Sequence, residues 1–186
     1  MEDKRTKIIK TAARLFTKKG FHATPTSLIA KESGVAVGTL FHHFKNKDEL
    51  INSIYFEIKR EMSGFFRNSL NPSHDFKTAA EFLWNDFVKW GLENHNKFGF
   101  ITQFYNSPYI SNVTKEQASR GFEFISPIVA KASEEKVIKN LNMTLFESIW
   151  FSSVTCIINY LMLNPDEDVE SIIRISFSIF WSGVSA

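Results

Sequence analysis

His42 and His43 stand side by side in GVAVGTLFHHFKNKDEL (34–50), flanked by Phe41 and Phe44 and followed by Lys45 and Lys47. An imidazole can ligate a metal, accept a proton or donate to a phosphate oxygen. Successive residues of a helix point about 100° apart, and chelation from one helix needs i, i+3 or i, i+4 spacing, so this pair is badly placed to share a metal. His22, His74 and His95 add no H-E-x-x-H pattern. The chain shows neither a nucleophile elbow nor a phosphate-binding glycine loop. Its one cysteine, Cys156, lies in the apolar run FSSVTCIINYLML (151–163) with no histidine near it in sequence. These residues predict a protein that is not an enzyme, with no catalytic residue, no metal and no cofactor.

The same residues make a different kind of surface. On a helical wheel over 37–44, Leu40 and Phe44 share the face that must be buried. Gly38, Thr39 and His42 point away from it, with Val37 and Phe41 on one flank and His43 on the other. A small, polar face at the start of a helix, bordered by Lys45 and Lys47, fits a duplex groove. Gly38 lets the backbone approach, Thr39 can bond a base edge or meet a thymine methyl, and the basic residues can meet phosphates. A merely solvated face has the same pattern, and these eight residues leave both readings open.

Such a face needs elements to hold it. Ile8, Ile9, Ala12, Ala13 and Phe16 recur at helical spacing within residues 4–19, and Gly20 follows as a stop. Thr24 reads as the N-cap, and Pro25 as the first residue, of a short helix closed by Gly34. A third short helix from Val37 to Phe44 follows the turn Gly34–Ala36, which completes a helix-turn-helix. Asn46 and Glu49 form a capping pair that opens a long fourth helix to about Leu70, and NPSHD (71–75) is the clearest boundary. Further helices are expected at about 75–95, 97–106, 115–136, 144–163 and 167–183. The expected fold is all-α with about nine helices. It divides into an N-terminal helix-turn-helix DNA-binding domain (1–60) and a larger C-terminal helical ligand-binding and dimerisation domain (61–186).

Charge follows the same division. Residues 1–60 carry 12 Lys/Arg against 6 Asp/Glu, whereas residues 61–186 carry 10 against 14. A basic first third suits a polyanion. The start, MEDKRTKIIK, does not read as a leader, and the longest apolar run falls short of the ~20 residues a spanning helix needs. The expectation is a cytoplasmic protein with no membrane partner.

The segment IIKTAARLF (8–16), then Gly20-Phe21, Thr24, Ile29-Ala30 and SGVAVGTLFHHFKNKDELI (33–51), resembles the DNA-binding region of the TetR (tetracycline-repressor) family over residues 7–51. The resemblance implies a second helix that crosses the DNA backbone, with phosphate-contacting hydroxyls at Thr24 and Thr26 and a base-reaching residue at Ser27. It implies a recognition helix that presents Val37, Gly38 and Thr39 to base edges, with Phe41 close to the groove. His43 and Lys47 fall at phosphate-contact positions, Lys45 adds a neighbouring cation, and His42 takes a variable exposed aromatic site. Two positions depart from the family pattern. Phe41 stands where Tyr is usual, which removes a hydroxyl contact. Ala36 stands where Ser is frequent, which removes a cap whose loss typically costs ~1 kcal/mol.

The family resemblance also implies three partners: double-stranded DNA, a second copy of the chain in a homodimer, and a small-molecule effector. Residues 61–186 hold 14 of the 19 Phe and all four Trp. Bundle helices with aromatic linings make pockets for apolar or aromatic ligands. The candidate lining is Trp84, Phe87, Trp90, Phe100, Phe104, Tyr105, Phe122, Trp150 and Asn159. The last two helices carry apolar stripes on more than one side, so they are buried within one subunit or shared between two. The expected dimer contacts are Phe146, Ile149, Trp150, Ser153, Ile157, Ile173, Ser176 and Phe180. The functional expectation is a repressor that binds a palindromic operator as a dimer and is released by its effector. The alternative is a helical small-molecule-binding or interaction module that does not bind DNA.

Overall fold

The computed structural model describes residues 2–71 and 73–186; Pro72, inside the boundary expected at 71–75, lies outside the described residues. Among these residues the chain is all-α. Its ten helices are α1 (Lys4–Lys19), α2 (Thr26–Glu32), α3 (Val37–His43), α4 (Lys47–Ser69), α5 (Phe76–Glu93), α6 (His95–Phe104), α7 (Asn112–Arg120), α8 (Ile125–Glu134), α9 (Met143–Leu163) and α10 (Val169–Val184).

The count exceeds nine because the single helix expected over 115–136 is two, broken at 121–124. The Gly121 carbonyl is taken out of the helical ladder. It accepts from the Ser63 hydroxyl at 2.6 Å and from Arg67 at 3.3 Å. The guanidinium of Arg67 also lies over the Phe124 ring, 4.6 Å from its centroid. Helical periodicity alone cannot register a carbonyl claimed by a distant side chain.

The helices divide into two compact units, Met1–Glu61 with His95–Arg120, and Met62–Asn94 with Gly121–Ala186. The second domain expected at 61–186 is therefore interrupted, because α6 and α7 pack with the helix-turn-helix. Gly99 explains the close approach of α6 to α1: a Cβ there would lie 2.9 Å from Thr17 Cγ2. Phe16 of α1 meets Phe104 of α6 edge-on at 6.4 Å, and Ile8, Phe16, Ile29, Leu40, Leu50, Phe100 and Phe104 are all buried. The expected helix at 97–106 had the right apolar face, but its partner is tertiary information.

The second unit is built around α5, which packs on α9 and α10. Trp84 sits edge-on to Trp150 and Phe177 and lies 4.9 Å from Phe180, while Phe87 is edge-on to Trp150 at 5.0 Å. Asn142 and Asp168 cap α9 and α10 through their side chains, bonding Leu145 N–H and the N–H groups of Glu170 and Ser171. The cap at Asn142 starts α9 eight residues ahead of the apolar run expected to be too short. By length and composition this helix of 21 residues is long and apolar enough to cross a membrane. Within the unit, its Val154, Ile158 and Leu161 side is buried.

Candidate nucleic-acid interface

The turn between α2 and α3 is built by glycine. Gly34 adopts φ +69°, its N–H bonds Lys31 C=O at 3.2 Å, and Val35 N–H bonds Ala30 C=O at 3.0 Å. This pairing closes the end of α2 with a left-handed residue that glycine adopts without strain. Ala36 then precedes α3 with no side-chain cap on the first turn.

Leu40 and Phe44 are buried and anchor α3, as their spacing predicts. Val37, Gly38, Phe41 and His42 are exposed, and Thr39 and His43 are half-buried, so the small and polar residues share the outward side. The rings of His42 and His43 lie 5.5 Å apart at 73°. Among the described residues, no group of three His, Cys, Asp or Glu is gathered as a metal site.

The face is braced from beneath. Arg5 lies over the Phe44 ring, 5.3 Å from its centroid, and pairs with Glu57 of α4; Arg14 pairs with Glu32 of α2. Asn46 Oδ1 accepts from Glu49 N–H, and Glu49 reaches back to Lys45 N–H, both at 2.7 Å. This reciprocal cap fixes the corner where Lys45, itself exposed, enters α4.

Two expected contacts are placed differently. Thr24 is fully buried, and its hydroxyl donates to Gly20 C=O at 2.8 Å and to Leu15 C=O at 3.3 Å. It ties the end of α1 instead of facing a phosphate, and it is not the N-cap, which falls on Pro25. The carbonyls left open at a helix C-terminus compete for such a hydroxyl. Thr26 is half-buried and Ser27 exposed, so these two remain accessible on α2. Lys47 turns its ammonium back onto the Phe21 carbonyl and over the Phe21 ring, 4.2 Å from the centroid. Burial holds that ammonium below the ordinary lysine value.

The candidate ligand residues do not form one lining. Phe100, Phe104 and Tyr105 belong to the unit of the helix-turn-helix, whereas Trp84, Phe87, Trp90, Phe122, Trp150 and Asn159 belong to the other. Trp84, Phe87, Trp90, Phe100 and Phe104 are buried, Trp150 and Phe122 are half-buried, and Tyr105 and Asn159 are exposed. The Trp84 indole donates to Ser176 Oγ at 3.2 Å, which satisfies both groups inside the core. An open cleft of ≈ 400 Å³ lies elsewhere, along α5 and α10, between Phe82, Asn85, Ile173, Arg174 and Phe177 with Glu81 and Glu170.

The expected dimer face is likewise divided. Phe146, Ile173, Ser176 and Phe180 are buried inside the unit, while Ile149 is exposed and Trp150, Ser153 and Ile157 are half-buried. The apolar residues left outside are Leu145, Tyr160, Met162 and Leu163 of α9 with Ile175 and Ile179 of α10. Both helices are apolar on two sides, and the wheel could not say which side α5 would take.

An all-α chain with a braced helix-turn-helix, its third helix turned outward, defines the class of helix-turn-helix regulators. The family model for bacterial regulatory proteins of the tetR family matches residues 8–54. A TetR-family transcription regulator from Shewanella sp. PV-4 shares 28% identity and a TM-score of 0.91, with 100% of each chain covered. FadR from Bacillus subtilis, solved in complex with stearoyl-CoA, has the same fold at 18% identity and a TM-score of 0.77, over 96% of this chain and 98% of its own. The HTH-type transcriptional regulator YerO of Bacillus subtilis is 49% identical over 53 residues, 28% of this chain and 18% of that protein. The chain spans about half or less of the curated relatives it matches, 18% to 51% of their lengths. Residues 8–54 thus match the DNA-binding region of the tetR family, and the whole chain is similar in fold to TetR-family regulators.

Proposed function

We propose that the protein is a dimeric, sequence-specific DNA-binding transcriptional repressor of the cytoplasm, with no catalytic activity of its own. The observation that carries the reading is the outward face of α3, where Val37, Gly38 and Thr39 precede the anchor Leu40 and leave an approach with little side-chain bulk. Base edges in a major groove are read by such a face with Ser27 of α2 beside it, while Lys45, Lys47, His43 and the Thr26 hydroxyl hold the backbone. The exposed apolar residues of α9 and α10 support a two-fold contact between copies, which sets two recognition helices one helical turn apart, about 34–36 Å.

The regulation we propose is release by an apolar or aromatic effector that binds the second unit and favours the conformation unable to bind DNA. Its aromatic core supports this, and the similarly folded FadR was solved with stearoyl-CoA. The test is a mobility-shift titration with the DNA upstream of the protein's own gene, repeated for Thr39→Ala and Lys45→Ala and then with acyl-CoA and aromatic candidates. Specific retardation that weakens in both variants is expected. Equal binding to any duplex, or none, would overturn the reading.

A further inference from the structure

We propose that Tyr109, on the segment that follows α6, is a positioning residue for Lys47 and acts on it through Phe21; the proposal rests on the DNA-binding reading above. The Tyr109 ring stacks on Phe21 with centroids 4.2 Å apart and planes at 20°. Its hydroxyl meets His22 Nε2 at 2.6 Å. Phe21 in turn holds Lys47 twice, by its carbonyl and by its ring face. The arrangement is therefore layered: Tyr109 covers Phe21, and Phe21 carries the cation.

The segment bearing Tyr109 is itself tied to α4. Asn52 donates to Tyr109 C=O at 2.9 Å and accepts from Ser111 N–H at 2.9 Å, while its amide also bonds Asp48 C=O one turn back. Asp48 is the neighbour of Lys47 at the start of α4. One clamp thus fixes the ring, the peptide and the helix start around a single ammonium. An ammonium has three N–H donors, and the Phe21 carbonyl takes one. A lysine stem loses substantial rotamer freedom when it is ordered. Lys47 held in this way has met that cost before a phosphate arrives. A flexible lysine would meet it on binding. None of this lies within the short-range pattern of the helix-turn-helix, because Tyr109 is 87 residues beyond His22.

The experiment compares wild type with Tyr109→Ala, Tyr109→Phe, Asn52→Ala, Lys47→Ala and the Lys47→Ala/Tyr109→Ala pair. In the free protein, NMR reads the Lys47 ε-methylene protons, which resonate upfield while the Phe21 ring lies over them. We expect Tyr109→Ala and Asn52→Ala to relax that shift and Tyr109→Phe, which keeps the stack, to retain it. In binding to the upstream duplex, Tyr109→Ala keeps the salt slope, because the freed lysine still reaches its phosphate, and weakens binding by up to about tenfold per subunit through the side-chain ordering it must now undergo. Added to Lys47→Ala, it has no further effect. An unchanged Lys47 shift in Tyr109→Ala, or additive losses in the pair, would overturn the proposal. A wild type that binds no duplex sinks the DNA-binding reading instead, and the NMR comparison still decides the positioning.

Discussion

Gly91→Ala is the sharpest test of the packing described for the second unit. Gly91 lies in α5 against α9, and a Cβ there would meet three atoms of one side chain: Ile158 Cδ1 at 2.6 Å, Cγ1 at 3.1 Å and Cγ2 at 3.2 Å. Rotation about χ2 moves only Cδ1 and leaves the other two atoms tighter than ordinary contact. Ile158 is fully buried, so it has no open space to turn into. Over-packing of this kind costs ~1–3 kcal/mol, against a gain of up to ~1 kcal/mol from replacing a helical glycine. The net expectation is a loss of roughly 1 kcal/mol, or about 2–4 °C in Tm for a chain of this size. Ile158→Val alone is also expected to cost ~1 kcal/mol, because it leaves a methyl-sized void. Combined, the missing Cδ1 removes the closest of the three contacts, so the double variant loses less than the two single losses added together. Thermal and urea unfolding at one fixed protein concentration measure all four corners of the cycle. A Tm raised by Gly91→Ala, or two losses that simply add, would refute the close α5–α9 approach.

Other outcomes follow from the same geometry. Thr39→Ala is expected to relax preference among base substitutions in the operator, while Lys45→Ala weakens all sequences alike and lowers the salt slope by about 1; competition binding at several salt concentrations separates the two. Ile179 is an exposed apolar residue of α10. Ile179→Asp should therefore shift sedimentation toward monomer while leaving the far-ultraviolet spectrum unchanged, and a retained dimer would remove α10 from the interface. Tyr55 is buried, and burial first, with the neighbouring Tyr105 adding to it, pushes its phenol up to about 12. A phenol raised in the folded state gives stability that is whole below the ordinary tyrosine value of ~10 and falls as pH rises toward 12. Absorbance titration at alkaline pH should show a late-ionising component near pH 12 that disappears in Tyr55→Phe.

Local chemistry in the sequence determined a great deal here. The apolar spacing of Ile8, Ala12 and Phe16, the glycine at position 34 and the Asn46–Glu49 cap are interactions within a few residues, and each appears in the structure where its pattern predicts. Leu40 and Phe44 turned inward together because they share one face of the short helix, while Val37 and Phe41 on its flank stayed exposed. Thr24 went astray because a hydroxyl that suits an N-cap suits the open carbonyls of the preceding helix equally well, and only the packed chain shows which it meets. Gly121 broke a helix because Ser63 and Arg67 reach it from far along the chain.

Tertiary structure alone assigned the sides of α9 and α10, since both helices are apolar enough to bury either face and α5 took the one that carries Ile158 and Phe180. It also decided that α6, closing on α1 through Gly99, joins the helix-turn-helix. Periodicity measures the face a helix must hide; the partner that hides it depends on shape complementarity between segments the sequence keeps far apart.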